Sequence, residues 1–120
     1  MSTAADLNDL IRLSSRIVFF GGAGVSVPSG IPDFRSSTGI YNRRFRYPAE
    51  TMLSHSFFLR HTEEFYDFYR SVMLYPDARP NAAHIKLAEM ERKGKLDAVI
   101  TQNIDGLHQA AGSRNVIELH

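Results

Sequence analysis

The chain has 120 residues, 43% of them hydrophobic and 22% charged, a composition that suits one soluble globular domain and excludes a disordered chain. Its 14 Lys and Arg stand against 13 Asp and Glu, and a formal charge of +1 gives no field for a polyanion, so neither direct nucleic-acid binding nor adsorption to an anionic membrane is expected. No apolar run approaches the roughly 20 residues of a membrane helix, and zero Cys excludes a disulfide framework and any thiolate metal site within these residues.

The opening residues carry Asp6 and Asp9 without a basic flank and apolar run, unlike a secretory signal, so the cytoplasm is the expected compartment. Leu7, Leu10, Ile11 and Ser14 share one face with Asp9 and Arg12 turned away, which predicts a helix ending near Ser15. Ile17, Val18, Phe19 and Phe20 form a short apolar run stopped by Gly21 and Gly22. That pattern predicts a strand buried on both faces of a parallel sheet, and the central one. Residues 21–48 are rich in Gly, Pro, Ser and Arg, a connection too long to be ordinary and therefore expected to be functional.

Residues 55–74 space Phe57, Phe58, Phe65, Phe68, Tyr69 and Val72 at helical intervals, predicting one helix whose aromatic stripe packs a core. Beyond Pro76 and Pro80, Ala83, Leu87 and Met90 share a face of a helix over 81–93, with Arg92 and Lys93 ahead of Gly94 as a stop signal. A strand over 96–101, a short helix over 105–111 stopped by Gly112, and a strand over 116–119 complete the chain. Strands alternating with helical connections predict the α/β class, as the first part of a doubly wound parallel sheet.

The first place for chemistry is the junction after the apolar strand, where Gly21, Gly22, Ala23 and Gly24 let backbone amides approach a phosphate. A full dinucleotide fingerprint would put a small residue where Val27 stands and an acidic residue about 20 positions on, and Asp33 comes too soon. The glycines alone leave a nucleotide site and a plain tight turn both open.

The continuation GAGVSVPSGIPDFRS, residues 22–36, resembles the NAD-binding segment of the sirtuin family. TQNIDGLH over 101–108 and VIELH over 116–120 are similar to the next two motifs of that family, in the same order. PNAAHIKLAEMERKG over 80–94 is similar as well, so the resemblance covers nearly all residues from Ile17 onward and is greatest to bacterial-type members.

The resemblance implies an NAD-dependent protein lysine deacetylase or deacylase that transfers the acyl group of an acylated lysine to ADP-ribose and releases nicotinamide. It implies that Gly22, Ala23 and Gly24 approach the pyrophosphate, with Val27 in the same cofactor-binding stretch and Arg35 on the cofactor's polar backbone. Ile31, Pro32, Asp33 and Phe34 would form a loop over the nicotinamide side, and Phe34 would cover the reactive ribose carbon against water. Gln102 would bond ribose hydroxyls, and Ile104 with Asp105 would receive the nicotinamide carboxamide. The implied catalytic residues are His120, as the base that deprotonates a ribose hydroxyl, and Asn103, acting through ribose or an ordered water.

Each residue also has a plainer reading: Arg35 as an exposed loop arginine, Asn103 and Asp105 as an Asx turn capping a short helix, His120 as a frayed terminal residue. His55, His61 and His84 have no partner at metal-ligand spacing and read as structural or solvated, while His108 stays open. Gly21 stands where many members carry Thr, and Val27 where close relatives can present a hydroxyl.

The family's chain runs on through a four-cysteine zinc module. Residues 1–120 are therefore expected to be a partial Rossmann-like NAD-binding domain, truncated after His120, with no metal ligands of its own and little of the acyl-lysine cleft. Alternatives of other kinds are a non-catalytic NAD-binding or interaction fragment and an NAD-dependent ADP-ribosyltransferase.

Overall fold

The computed structural model describes residues 3–120, and the first two positions of the opening segment lie outside it. Helix α1 (Ala4–Leu13) starts at a capping box in which the Thr3 side chain accepts from the Asp6 N–H and Asp6 accepts from the Thr3 N–H. Its last turn is held by Lys95, whose ammonium donates to the carbonyls of Arg12 (3.0 Å) and Ser14 (2.7 Å).

Three strands, β1 (Ile17–Gly21), β2 (Leu96–Thr101) and β3 (Val116–Glu118), form a parallel sheet in the order β1-β2-β3. Phe20 pairs with Ile100, and Gly21 and Glu118 both pair with Thr101, so all three carboxyl ends reach the same edge of the sheet. Helix α5 (Ala82–Arg92) covers one face, burying Leu87 against Leu96 and Val99 with Phe19, Met90 and Val116 around them. The Glu91 carboxylate accepts the backbone N–H groups of Arg114 and Asn115, which pins the entry of β3 to the end of α5.

The strand over 17–20 departs from its expectation in two respects. β2, and not β1, is central among the described strands, with four of its six residues buried. β1 is buried on one face only: Val18 (56%) and Phe20 (60%) stay exposed on the side away from α5, as does Ile117 of β3. A four-residue apolar run records that both faces are apolar but not which of them meets a helix.

A second apolar cluster lies in the segment between β1 and α5. Ile40, Ala49, Met52, Phe57 and Phe68 form its center, with Phe34, Tyr41, Phe45 and Tyr47 packed on them. Phe45 meets the Phe68 ring edge-on at 5.0 Å, so the aromatic stripe does form a core. The single helix expected over 55–74 is divided, however, into α3 (His55–Arg60), α4 (Thr62–Phe68) and a π-helical turn over Tyr69–Met73, following a short α2 (Ala49–Met52). The break falls at His61, whose φ −132 and ψ 54 are not helical, while the Thr62 hydroxyl donates back to the Phe58 carbonyl at 2.8 Å. The short helix expected over 105–111 is confined to α6 (Leu107–Ala110), because Gly106 enters it in the left-handed region at φ 68.

Candidate functional site

All three carboxyl strand ends open onto one pocket of about 640 Å³ between the sheet and the aromatic cluster. Ala23 and Ser26 reach it from the segment after β1, Gln102, Asn103, Ile104 and Asp105 from the segment after β2, and His120 from the segment after β3. The opposite wall holds Pro32, Asp33, Phe34 and Arg35 with Tyr41, Tyr69 and Met73. A crevice outside the carboxyl ends of parallel strands is where open α/β sheets bind ligands, because the loops there diverge and leave backbone groups free.

The chain past each strand explains these positions. After β1 the backbone tightens into a 3₁₀ segment, Ala23–Ser29, and the first N–H groups of a helical segment have no partner within it. Asn103 ties the two principal loops together: its Nδ2 donates to the Gly22 carbonyl at 2.9 Å and to Ser26 Oγ at 3.3 Å, and its own N–H donates to Thr101 Oγ1 at 3.0 Å. The side-chain NH2 is thus turned inward, and the Asn103 carbonyl is the group available to a ligand. The Leu119 N–H donates to the Thr101 carbonyl at 3.0 Å, extending the ladder and delivering His120 to the pocket.

Asp33 and Asp105 do different work. The Asp33 carboxylate accepts from the N–H and hydroxyl of Ser36, fixing its own loop, while Ile40 and Tyr41 donate to the Asp33 and Phe34 carbonyls at 2.8 Å. Asp105 accepts from the Leu107 N–H (3.0 Å) and from the Ser26 hydroxyl (2.5 Å). Its cap on α6 is the Asx turn of the plainer reading, and the same carboxylate lines the pocket with lone pairs to spare. Arg35 is exposed, with its guanidinium 5.7 Å from the center of the Tyr41 ring, so it is both a loop arginine and a cationic group at the pocket rim.

All the predicted site residues line this pocket except Gly22, Gly24 and Val27. Gly22 lies just behind it, where an added Cβ would come within 3.2 Å of Gln102 Oε1. Gly24 is exposed with open space around it, and Val27 turns its side chain to solvent on the 3₁₀ segment. Sequence reasoning missed Ser26 and the wall of Tyr41, Tyr69 and Met73. Ser26 was in view inside the first motif, and a π-helical turn such as the one carrying Tyr69 and Met73 is a frequent mark of a functional site.

Behind Asp105 sit two fully buried imidazoles, His84 of α5 and His108 of α6, with ring centers 4.8 Å apart and edge to face. Burial holds both below the usual histidine range; the Asp105 charge opposes this at each, and His84 adds to the lowering at His108. Acidification is therefore expected to cost stability. Well above pH 6.5 both rings are neutral in the folded and unfolded chain, and their contribution is intact. As pH falls below that value the unfolded chain binds protons that the folded chain refuses, at a limiting slope of about 1.4 kcal/mol per pH unit for each ring. Urea midpoints from pH 7.5 to 5 check this, and a flat profile would mean that the pair is not buried and neutral.

Among the described residues no group of three or more His, Asp or Glu could hold a metal ion, and the sequence contains no Cys, so the zinc site implied by the resemblance has no ligand set here. No described helix is long and apolar enough to cross a membrane.

The model of the Sir2 family matches residues 22–120. The NAD-dependent protein deacetylase of Clostridium tetani is 62% identical over 100% of this chain and 49% of its own length, and that of Clostridium acetobutylicum is 61% identical over 96% and 48%. The chain thus spans about half the length of the curated relatives it matches. Among solved structures, a Sir2 with a deacetylated p53 peptide and 3′-O-acetyl ADP-ribose superposes with a TM-score of 0.86 at 48% identity, covering 98% of this chain and 47% of that one. A Sir2–p53 peptide–NAD+ complex gives 0.80 at 45% identity over 99% and 46%.

Proposed function

The chain belongs to the Sir2 family, and from that premise we propose that it supplies the NAD pocket of a protein lysine deacetylase. The observation that carries the proposal is convergence: the three motifs, far apart in sequence, follow three parallel strand ends and meet around one cavity.

The residues present fit the cofactor. The pocket lies in the size range of small-molecule sites, its rim carries the Arg35 cation for a diphosphate, and the Asp105 carboxylate has lone pairs free to accept from a carboxamide. Bound NAD would supply an activated ribose carbon to which the acyl oxygen of an acetylated or acylated lysine can bond as nicotinamide leaves.

The chain's own groups prepare that event. Ala23, at the start of the 3₁₀ segment, and Arg35 would hold the phosphates, and Gln102 and the Asn103 carbonyl would bond ribose hydroxyls. Phe34, Ile31 and Ile104 keep water from the reacting carbon. Asp105 holds the carboxamide and so orients the nicotinamide ring. His120 would be the proton acceptor for a ribose hydroxyl of the bound cofactor.

Asp105→Asn tests the assignment of the nicotinamide side. In the full-length protein it is expected to weaken capture of free nicotinamide about tenfold or more and to leave ADP-ribose binding within about twofold, because only the carboxamide meets this carboxylate. Calorimetry with each ligand separates the outcomes: equal losses for both would reduce Asp105 to a helix cap.

A further inference from the structure

His108 presents an unusual expense. Its ring is 1% exposed, it lies edge to face with the His84 ring and, at 6.1 Å between centers, beside the Phe19 ring, and neither of its nitrogens has a hydrogen-bond partner among the described residues. A leucine or phenylalanine would fill the space without the desolvation cost of unpaired polar atoms. That cost is borne directly behind the pocket wall.

His84 shows what the arrangement accomplishes. The Asn81 N–H donates to His84 Nδ1 at 3.1 Å as part of the capping box of α5, so Nδ1 is an acceptor and the proton of the neutral ring sits on Nε2. Nε2–H then faces Ser26 Oγ at 3.5 Å. Asn103 Nδ2 also donates to that oxygen at 3.3 Å. With two donors directed at it, the Ser26 hydroxyl has one direction left for its own proton, toward Asp105 Oδ2 at 2.5 Å. The other Asp105 oxygen is fixed by the Leu107 N–H at 3.0 Å. The carboxylate plane, and with it the lone pairs that face the pocket, is therefore set by a one-way relay that begins at the Asn81 backbone.

We propose that the buried His84–His108 pair is a positioning unit for Asp105: neutral His84 directs the Ser26 hydroxyl onto the carboxylate, and the His108 ring holds His84 in that orientation. The proposal deepens the nicotinamide-side reading of Asp105 and rests on it. His108 needs no hydrogen bond for this task. Its ring edge against His84 fixes a tilt of 70° between the two planes, and a ring turned away from that tilt would carry Nε2–H off Ser26. The charged group facing both imidazoles is Asp105, which each meets from its own helix. Neither imidazole lines the pocket, so both act through Ser26.

Two measurements on the full-length protein test the proposal. Imidazole 15N NMR between pH 7 and 8 is expected to show His84 neutral with its proton on Nε2; a proton on Nδ1, or an imidazolium, would overturn the relay whatever the protein binds. Calorimetry then compares His108→Leu, which removes the ring, with His108→Phe, which keeps one. His108→Leu should weaken nicotinamide capture in the presence of ADP-ribose about three- to tenfold with ADP-ribose affinity unchanged, and His108→Phe should restore most of it. Unchanged nicotinamide capture in His108→Leu would overturn the proposal, and so would parallel loss of both ligands. If the variants do not fold, Ser26→Ala breaks the relay one step closer to Asp105 and should give the same selective loss. Failure of wild-type protein to bind either ligand would instead count against the NAD reading itself, leaving the NMR result to decide the relay.

Discussion

His120→Ala is expected to lower kcat for acetyl-lysine deacetylation by about a hundredfold to ten-thousandfold, while the KM for NAD changes by no more than a few-fold. The split follows from position. His120 is brought to the pocket by the ladder bond from Leu119 to Thr101, and its side chain adds an imidazole to the wall without fixing any other wall residue. Its removal should therefore leave the cradle of Ala23, Gln102 and Asn103 intact and delete only a proton acceptor. Steady-state kinetics on the full-length variant check this, with circular dichroism to confirm folding. A rise in KM matching the fall in kcat/KM would make His120 a binding residue and remove it from proton transfer.

Gly39→Ala carries the second large effect, through a different mechanism. Gly39 is buried with an ordinary extended backbone, φ −72 and ψ 169, so its need for glycine is steric and not conformational. An added Cβ would lie 2.7 Å from both the carbonyl carbon and the oxygen of Phe34 and 2.6 Å from Asp33 Oδ1. Asp33 can swing aside, but the Phe34 backbone cannot move without releasing the bonds from Ile40 and Tyr41 that close the loop. Overpacking of this kind costs about 1 to 3 kcal/mol, and here the displaced backbone is the one that presents Phe34 and Arg35 to the pocket. Lower urea midpoints and weaker NAD binding are expected together. Gly24→Ala is the contrast, since a Cβ there meets nothing within 4 Å and should leave stability within about 0.5 kcal/mol. Equal stability of the two variants would mean that the loop over Asp33 and Phe34 is not held as described.

The parts of the site legible in sequence are those in which local chemistry and position along the chain coincide. The strand-to-glycine junction at Gly21 and Gly22, the run around Asn103 and Asp105, and the closing histidine each follow a recognisable strand, so placing the strands in parallel already places the residues at one edge. The sheet order was not legible, because Val18 and Phe20 are as apolar as Phe19 although only Phe19 packs against α5. The break at His61 was hidden for a related reason: the spacing of Phe57, Phe65 and Phe68 reports a shared face, not an unbroken backbone. Nor could periodicity separate Tyr69 and Met73, which help to line the pocket, from the same stripe's core members. The link from His84 to Ser26 and on to Asp105 joins residues 58 and 79 positions apart, and no local pattern carries it.

The claim that these three strand ends build the NAD pocket of a deacetylase is tested most directly by nicotinamide release from NAD. The measurement is made on the full-length protein, with an acetyl-lysine peptide and with the same peptide unacetylated. The account predicts release that depends on the acetyl group and falls when Asp105 or His120 is replaced. Release at the same rate with either peptide, or no NAD binding by folded protein, would contradict it.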